Sequence, residues 1–507
     1  MLRLTWVQPE DLLGHELRQA VQDGREPGAV AARWRAAGGP EAPARSGASP
    51  QPASRYLRLL AEDLLDELAE LPSRLAEAEP TDLAAIRALC PDWPIRGPVT
   101  GDGPPRQART GDSPVREALT GDRPTQQPRT GDRPTQQPRS GDRPAQQPRT
   151  GVRPAAPGPD RLEAAWLGRA AGCLLGKPVE KIPLDGIRNL ARATGNWPLT
   201  TWFTARGVPD DLAAAHPWNR RSAATSLAEN IDGMPEDDDL DHPLLGLLLL
   251  RRHGRGFTTA DLARLWLDEL PAGRTFTAER VAYRNLLLGI DPPRTARHRN
   301  PFREWIGALI RADVHGWTNP GDPAAAAEQV HRDAVLTHTA NGVYAAMFAA
   351  AVIAAAASGA HDVHACLATG LRVVPPGSRL ARAVRHAVRL AAAHEDFDTV
   401  VDELHAVHAG LHWVHAVPNT ALIAAALTHA DGDFTGSICR VVSGGWDTDS
   451  NGATAGSVAG LLAGSPAALP DRWTAPLKNR LATSVGDFDG VGFDTLARLT
   501  HQEASRP

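Results

Sequence analysis

The stretch Ser443–Gly460, SGGWDTDSNGATAGSVAG, decides how this chain reads. Paired glycines open it, Asp447, Asp449 and Ser450 follow, and a run of Gly, Ala, Ser and Val closes it. A run so small and so uncharged makes a helix that is buried almost all round. The two carboxylates therefore stand at the N-terminal end of a buried helix. A helix N-terminus favours negative charge by only about 0.3–1 kcal/mol per group. That does not offset like charges held close and partly desolvated.

A second acidic stretch makes the same demand. MPEDDDLDH places Glu236, Asp237, Asp238, Asp239 and Asp241 directly before the apolar LLGLLLL. Capping alone can explain acids in a first helical turn, and for this cluster that reading stays open. Few basic residues adjoin either cluster along the chain, since Arg251 and Arg252 lie at the far end of the helix. A divalent metal is then the economical counter-charge. Carboxylate and hydroxyl oxygens select hard ions such as Mg²⁺, Mn²⁺ or Ca²⁺ over zinc. The two clusters together favour a two-metal site. An EF-hand is excluded, because DDDLDH lacks the turn glycine and the distal glutamate.

Outward from these clusters, 161 to about 500 reads as helix after helix, and no set of strands with a period of two stands out. RLEAAWLGRAAGCLLG, TTADLARLWLDEL, GVYAAMFAAAVIAAAAS and TALIAAALTHA are typical. The helices starting near Gly342 and Gly452 should be buried almost all round. Between 98 and 160 a unit near TGDRPTQQPR recurs every ten residues, with TGD at Thr100, Thr110, Thr120 and Thr130 and SGD at Ser140. It has almost no large apolar side chain, so a disordered Pro/Gly/Arg-rich linker is expected. Before it, 1–97 reads as a small helical N-terminal region of two or three helices. Ser54 is a candidate N-cap there and Pro80 a helix stop. The expected organisation is thus 1–97, 98–160 and 161–507.

Composition narrows the classes. The chain has 507 residues, 42% of them hydrophobic and 22% charged, with a net charge of −5, so nucleic-acid binding has no bulk electrostatic support. Cys90, Cys173, Cys366 and Cys439 are far apart with no CxxC, which argues against a disulfide framework or a zinc site. No apolar run reaches the roughly 18 residues of a membrane span; Ala345–Ala357 is the richest. The N-terminus lacks the order of a signal peptide, and a cytoplasmic protein is expected.

At this point the residues carry a resemblance. In order along the chain, GRAAGCLLGKPVE (Gly168–Glu180) resembles a G-x-x-x-G-D-x-L-G-x-P-x-E motif. PEDDD resembles T-D-D-T, THTANGVYAAMFAAAVIAAA a Ser/Thr-His motif before a buried helix, and GGWDTDSNGA a closing G-G-D-x-D-T segment. AERVAYRNLL, NPFREWIGALIRAD and HAVPNTALIAAAL fit the same pattern. The ordered set is similar to the ADP-ribosylglycohydrolase family over essentially Leu162–Thr500. The resemblance implies an all-α, orthogonal multi-helix bundle with two Mg²⁺ or Mn²⁺ ions at the base of an ADP-ribose cleft. It implies metal ligands at Glu236, Asp237, Asp238, Asp447, Asp449 and Ser450, a catalytic role for Glu180, and substrate contacts at Gly307 and His338; by their chemistry Glu180, Asp238 and Asp447 are the candidates to move a proton, with Glu180 favoured. Three departures stand out: Cys173 replaces the motif's aspartate, Glu236 replaces a hydroxyl, and Trp446 is inserted before the closing ligands. Trp446 is a candidate to stack on the substrate or wall the cleft.

The implied activity is hydrolysis of the glycosidic bond of ADP-ribose attached to arginine, serine or another acceptor, on a protein or a small molecule. Such a bond breaks through an oxocarbenium-like state and needs a carboxylate to move a proton. Read from the residues alone, Glu180 is equally a surface glutamate after a Lys-Pro turn. The alternatives are an ADP-ribose-binding or structural protein without turnover, or a hydrolase of another ribosyl or phosphoryl bond. Elsewhere, Arg311 and Asp313 are expected to pair with each other, and His412 and His415 to serve packing.

Overall fold

Glycines four residues apart bring two helices into backbone contact. The computed structural model describes residues 4–43, 47–49, 51–94 and 156–506. In it an opening helix, Pro159–Gly176, lies antiparallel to a closing helix, Thr448–Ala463. A methyl group at Gly168 would stand 2.2 Å from the carbonyl oxygen of Gly456, and one at Gly172 1.9 Å from that of Gly452. At Gly176 it would stand 2.2 Å from the carbonyl of Thr448, and at Gly460 2.2 Å from that of Ala164. Each glycine therefore presents a Cα–H to a carbonyl across the interface, a contact worth about 0.5–1 kcal/mol. The two helices zip along this ladder. Its last rung sets the C-terminal end of the opening helix beside the first turn of the closing one.

The fold is all-α, as expected. Among the described residues there is no strand, only isolated bridges such as Met234 with Leu481 and Trp305 with His415. The helix Ala340–Ala357 is central, with every residue from Asn341 to Ala357 buried. It packs on the helices Pro323–Ala334, Val363–Leu371 and Asp313–Trp317. With 18 residues it is long and apolar enough to cross a membrane by length and composition, which corrects the shorter run read from the sequence. In this fold 94% of that window is buried inside the protein. The closing helix is buried from Thr448 to Leu461, so both small-residue helices are enclosed as their composition predicts.

The region expected as a linker lies outside the described residues up to 155; at its other end, Pro159 already opens a helix, with Pro at its first turn. In the N-terminal region, helices span Pro9–Gln22, Gly28–Ala36, Arg55–Glu70 and Leu83–Leu89. Ser54 caps the third, its hydroxyl accepting from the Leu57 amide at 3.3 Å. That helix ends at Glu70 rather than near Pro80. Leu71 is forced into an extended conformation by the proline that follows it.

This region is more than an appendage. Arg303 forms a fork with both oxygens of Glu16 at 2.6 and 2.8 Å and also reaches Asp23. Arg379 bridges Glu79 and Glu304 at 2.6 and 2.8 Å. Gln19 donates to Glu304 at 2.7 Å, and Asn341 to Glu79 at 2.8 Å. Trp6 and His15 pack on Phe302 and Trp305. The N-terminal carboxylates thus neutralise cations that the large bundle buries.

Two outcomes follow for stability. Gly172→Val places a branched side chain against a backbone carbonyl and costs about 1–3 kcal/mol or more, whereas Gly28→Ala, with nothing within 4 Å of the new methyl, is neutral. Replacing Glu16 and Asp23 together by Ala strands the Arg303 guanidinium and costs about 3–5 kcal/mol. Urea denaturation of the purified variants measures both.

Candidate active site

The ladder ends in chemistry on both sides. The opening helix runs into a tight turn, Lys177–Val179, which delivers Glu180. On the other side the helix Phe434–Ser443 stops at Gly444. Gly445 and Trp446 both take left-handed backbone conformations, with φ of 75° and 57°, and turn the chain into Asp447. The indole of Trp446 is stacked on the His405 ring, 4.1 Å between centroids and 12° from parallel. That stack holds a turn which a non-glycine residue adopts only at a cost. The Thr448 hydroxyl donates to the Gly176 carbonyl at 2.8 Å and pins the two ends together.

The result joins residues far apart in the chain. One oxygen each from Glu180, Asp447 and Asp449 lie within 4.8 Å of one another. Glu180 is anchored at both oxygens, by Asn219 Nδ2 at 2.6 Å and by Lys181 Nζ at 2.7 Å. Asp447 occupies the N-cap position of the closing helix without spending its carboxylate on a capping bond. Burial first, then Asp449 and Glu180, pushes the Asp447 carboxyl well above its ordinary value. Burial, with Glu180 and Asp237, pushes Asp449 up to about 7.

The second acidic stretch folds against this group. Asp237 caps the helix Asp238–His253 by accepting from the Asp239 amide at 2.9 Å, so the capping reading holds for that residue. Asp239 is bonded by the Ser450 hydroxyl, which ties the two loops to each other. Burial and the neighbouring charges of Asp237, Asp239 and Asp449 raise the Asp238 carboxyl well above its usual range. Asp241 turns away to the hydroxyls of Thr483 and Ser484. Glu236 sits at the rim, paired with Arg274 at 2.9 Å.

One premise of the sequence reading needs correction: basic residues do adjoin the clusters. Lys177 ion-pairs with Asp237 and reaches the Glu236 carbonyl at 3.3 Å. Burial opposes charge on both, yet each holds the other ionised, with the Asp237 carboxyl below and the Lys177 ammonium above its ordinary value. Arg169, fully buried, reaches Asp239 at 3.3 Å and Asp313 at 2.7 Å. Asp313 therefore pairs with Arg169 rather than with Arg311, because residues two apart in a helical segment do not face each other. Arg169, Cys173 and Lys177 recur every four residues and so share one helix face. That spacing, beside the glycine face, is the signal that would have found them.

Of the expected substrate residues, Trp446 lies in the turn before Asp447. Gly307 and His338 come together at Glu279. A methyl on Gly307 would stand 2.1 Å from the Glu279 carboxylate, and His338 Nδ1 is 3.9 Å from it. Arg311 pairs with Glu279 at 2.7 Å and with Asp333 at 2.5 Å. His338 is fully buried, and its Nδ1 is 2.6 Å from the Thr337 hydroxyl. His412 stacks on Trp305 at 4.2 Å, in keeping with a packing role.

Among the described residues, two sets of side chains have the spacing to hold a metal ion. Glu180, Asp447 and Asp449 form an all-oxygen set, which fits a hard divalent cation. Cys173, Asp237 and Asp239 form the other. Its thiol is pushed up by burial and by the adjacent carboxylates, and Lys177 already holds Asp237.

The family model for ADP-ribosylglycohydrolase matches residues 155–505. Among solved structures, a chain described as an ADP-ribosylglycohydrolase-related protein complex is similar at 21% identity. The similarity covers 68% of this chain and 98% of that one, with a TM-score of 0.43. No curated protein matches. The family match takes in Glu180, both acidic stretches and the glycine ladder, and leaves the N-terminal helices outside it. The chain belongs to the ADP-ribosylglycohydrolase family.

Proposed function

We propose that the chain hydrolyses the glycosidic bond between ADP-ribose and an acceptor, either a protein side chain such as arginine or serine or a small molecule. Family membership supports a glycohydrolase. The observation that carries the reading is the meeting of Glu180 with Asp447 and Asp449 at the head of the ladder. In this reading Glu180, Asp447 and Asp449 hold a divalent ion such as Mg²⁺ or Mn²⁺. When bound, that ion supplies positive charge for fixing the sugar hydroxyls and stabilising the developing transition state.

The chain's own groups do the rest. Glu180, held by Asn219 and Lys181, is fixed in orientation to take a proton from the attacking water or to return one to the leaving group. Asp238, whose carboxyl is raised by burial and by the charges of Asp237, Asp239 and Asp449, is the second candidate for proton transfer. Ser450 bonds Asp239 and keeps the loops in register. Trp446 acts through the turn it stabilises and presents Asp447. The acceptor is the open part of this proposal, and the assay decides it.

Purified protein incubated with ADP-ribosylated arginine and serine peptides is expected to release ADP-ribose with Mg²⁺ and not with EDTA. Glu180→Gln lowers kcat by about 100-fold or more. Asp447→Asn with Asp449→Asn removes both metal uptake and turnover. Unchanged turnover in that double variant, or tight ADP-ribose binding without release in the parent, rejects the proposal.

The Asp449 carboxyl, raised to about 7, gives a pH test. Without metal, the folded protein keeps a proton that the unfolded chain gives up near its ordinary value of 3.8, so stability falls as pH rises from there to about 7. A metal needs the ionised carboxylate, so its affinity rises over the same window. Thermal melts in EDTA and Mn²⁺ titrations across pH, compared with Asp449→Asn, check both slopes.

A further inference from the structure

The two ligand sets at the head of the ladder are not alike. Around Glu180, Asp447 and Asp449, Lys181 lies against Glu180 with its side chain half exposed, and Lys177 acts on Asp449 through space while its ion pair is with Asp237. Glu180, Asp447 and Asp449 each bring one carboxylate oxygen within 4.8 Å of the other two. That arrangement is short of positive charge.

Around Cys173, Asp237 and Asp239 the charge is already supplied. The Lys177 ammonium is buried against Asp237, and its second contact is the backbone carbonyl of Glu236. Arg169 binds Asp239 through both its carboxylate and its carbonyl, and is held in turn by Asp313 and the Ile310 carbonyl. Glu236 faces Arg274. The remaining donor, Cys173, is a thiol lying 4.0 Å from Asp239, a poor partner for a hard ion. A divalent ion placed here would meet a fixed ammonium at close range and would have to compete with it for Asp237.

We infer that Lys177 stands in for one of the two cations the resemblance implies, so that this chain takes up a single divalent ion at Glu180, Asp447 and Asp449. The inference rests on the metal reading above and names what is particular to this chain. Lys177 and Cys173 lie one helical turn apart on the same face, so the cation and the loss of the motif's aspartate belong to one local change. Lys177 is here a positioning residue: it orders Asp237, and with it the first turn of the acidic helix, without a second ion.

Full-length protein stripped with EDTA and titrated with Mn²⁺ alone tests this by calorimetry and by the electron paramagnetic resonance of the bound ion. The parent is expected to bind about one Mn²⁺ per chain and to show the resolved spectrum of an isolated ion. Lys177→Met frees Asp237 and is expected to bind about two, close enough to broaden the spectrum, since paired ions sit roughly 3.5–4 Å apart. Lys177→Arg keeps the charge and stays at about one. Two ions in the parent, or none, overturn the inference, as does an unchanged count in a folded Lys177→Met. If that variant does not fold, the parent's count still decides. Two ions with turnover would leave the glycohydrolase reading standing, and one ion without turnover would do the reverse.

Discussion

The contact on which the structure depends is backbone against backbone. Gly168, Gly172 and Gly176 meet Gly456, Gly452 and Thr448 with no room for a side chain between them. Interiors are close-packed and do not deform continuously, so this interface has one register. The register sets Glu180 opposite Asp447 and Asp449. A slip by one rung of the ladder, four residues, would move the two ends about 6 Å apart along the axis, since each residue rises 1.5 Å. The carboxylates would then no longer meet.

The ladder brings like charges together, and the surrounding structure offsets only part of the cost. Arg169 serves Asp239 from the opening helix itself, and Lys177 serves Asp237 from the turn that follows it. Asp447 and Asp449 instead meet a third carboxylate, Glu180. This unevenness is the electrostatic signature of the site: Asp239 and Asp237 face the chain's own cations, and Asp447 and Asp449 face another acid. The N-terminal carboxylates on Arg303 and Arg379 consolidate the bundle elsewhere.

Much of this was legible in the residues. Small side chains at Gly342–Ala357 and Gly452–Gly460 marked the enclosed helices, because helices of that composition have no exposed face to show. The acids at Asp447 and Asp449 were visible as a cost that capping does not cover. What escaped was who pairs with whom. Arg169 and Lys177 lie some 60 to 70 residues before the acids they serve, so a search along the chain beside each cluster could not find them. Glu16 meets Arg303 across 287 residues, and no periodicity encodes that partnership. The third N-terminal helix ended early because Pro72, not Pro80, restricts the residue before it.

The hydrogen bond from Thr448 to the Gly176 carbonyl has a further consequence. It makes the head of the ladder, where Glu180 meets Asp447 and Asp449, its terminal rung, so this carboxylate group and the hydrophobic interior belong to one cooperative unit. Fraying confined to the surface cannot disarm such a protein gradually. Heat inactivation and global melting become a single event, and amide protons at the head of the closing helix exchange only when the whole bundle opens.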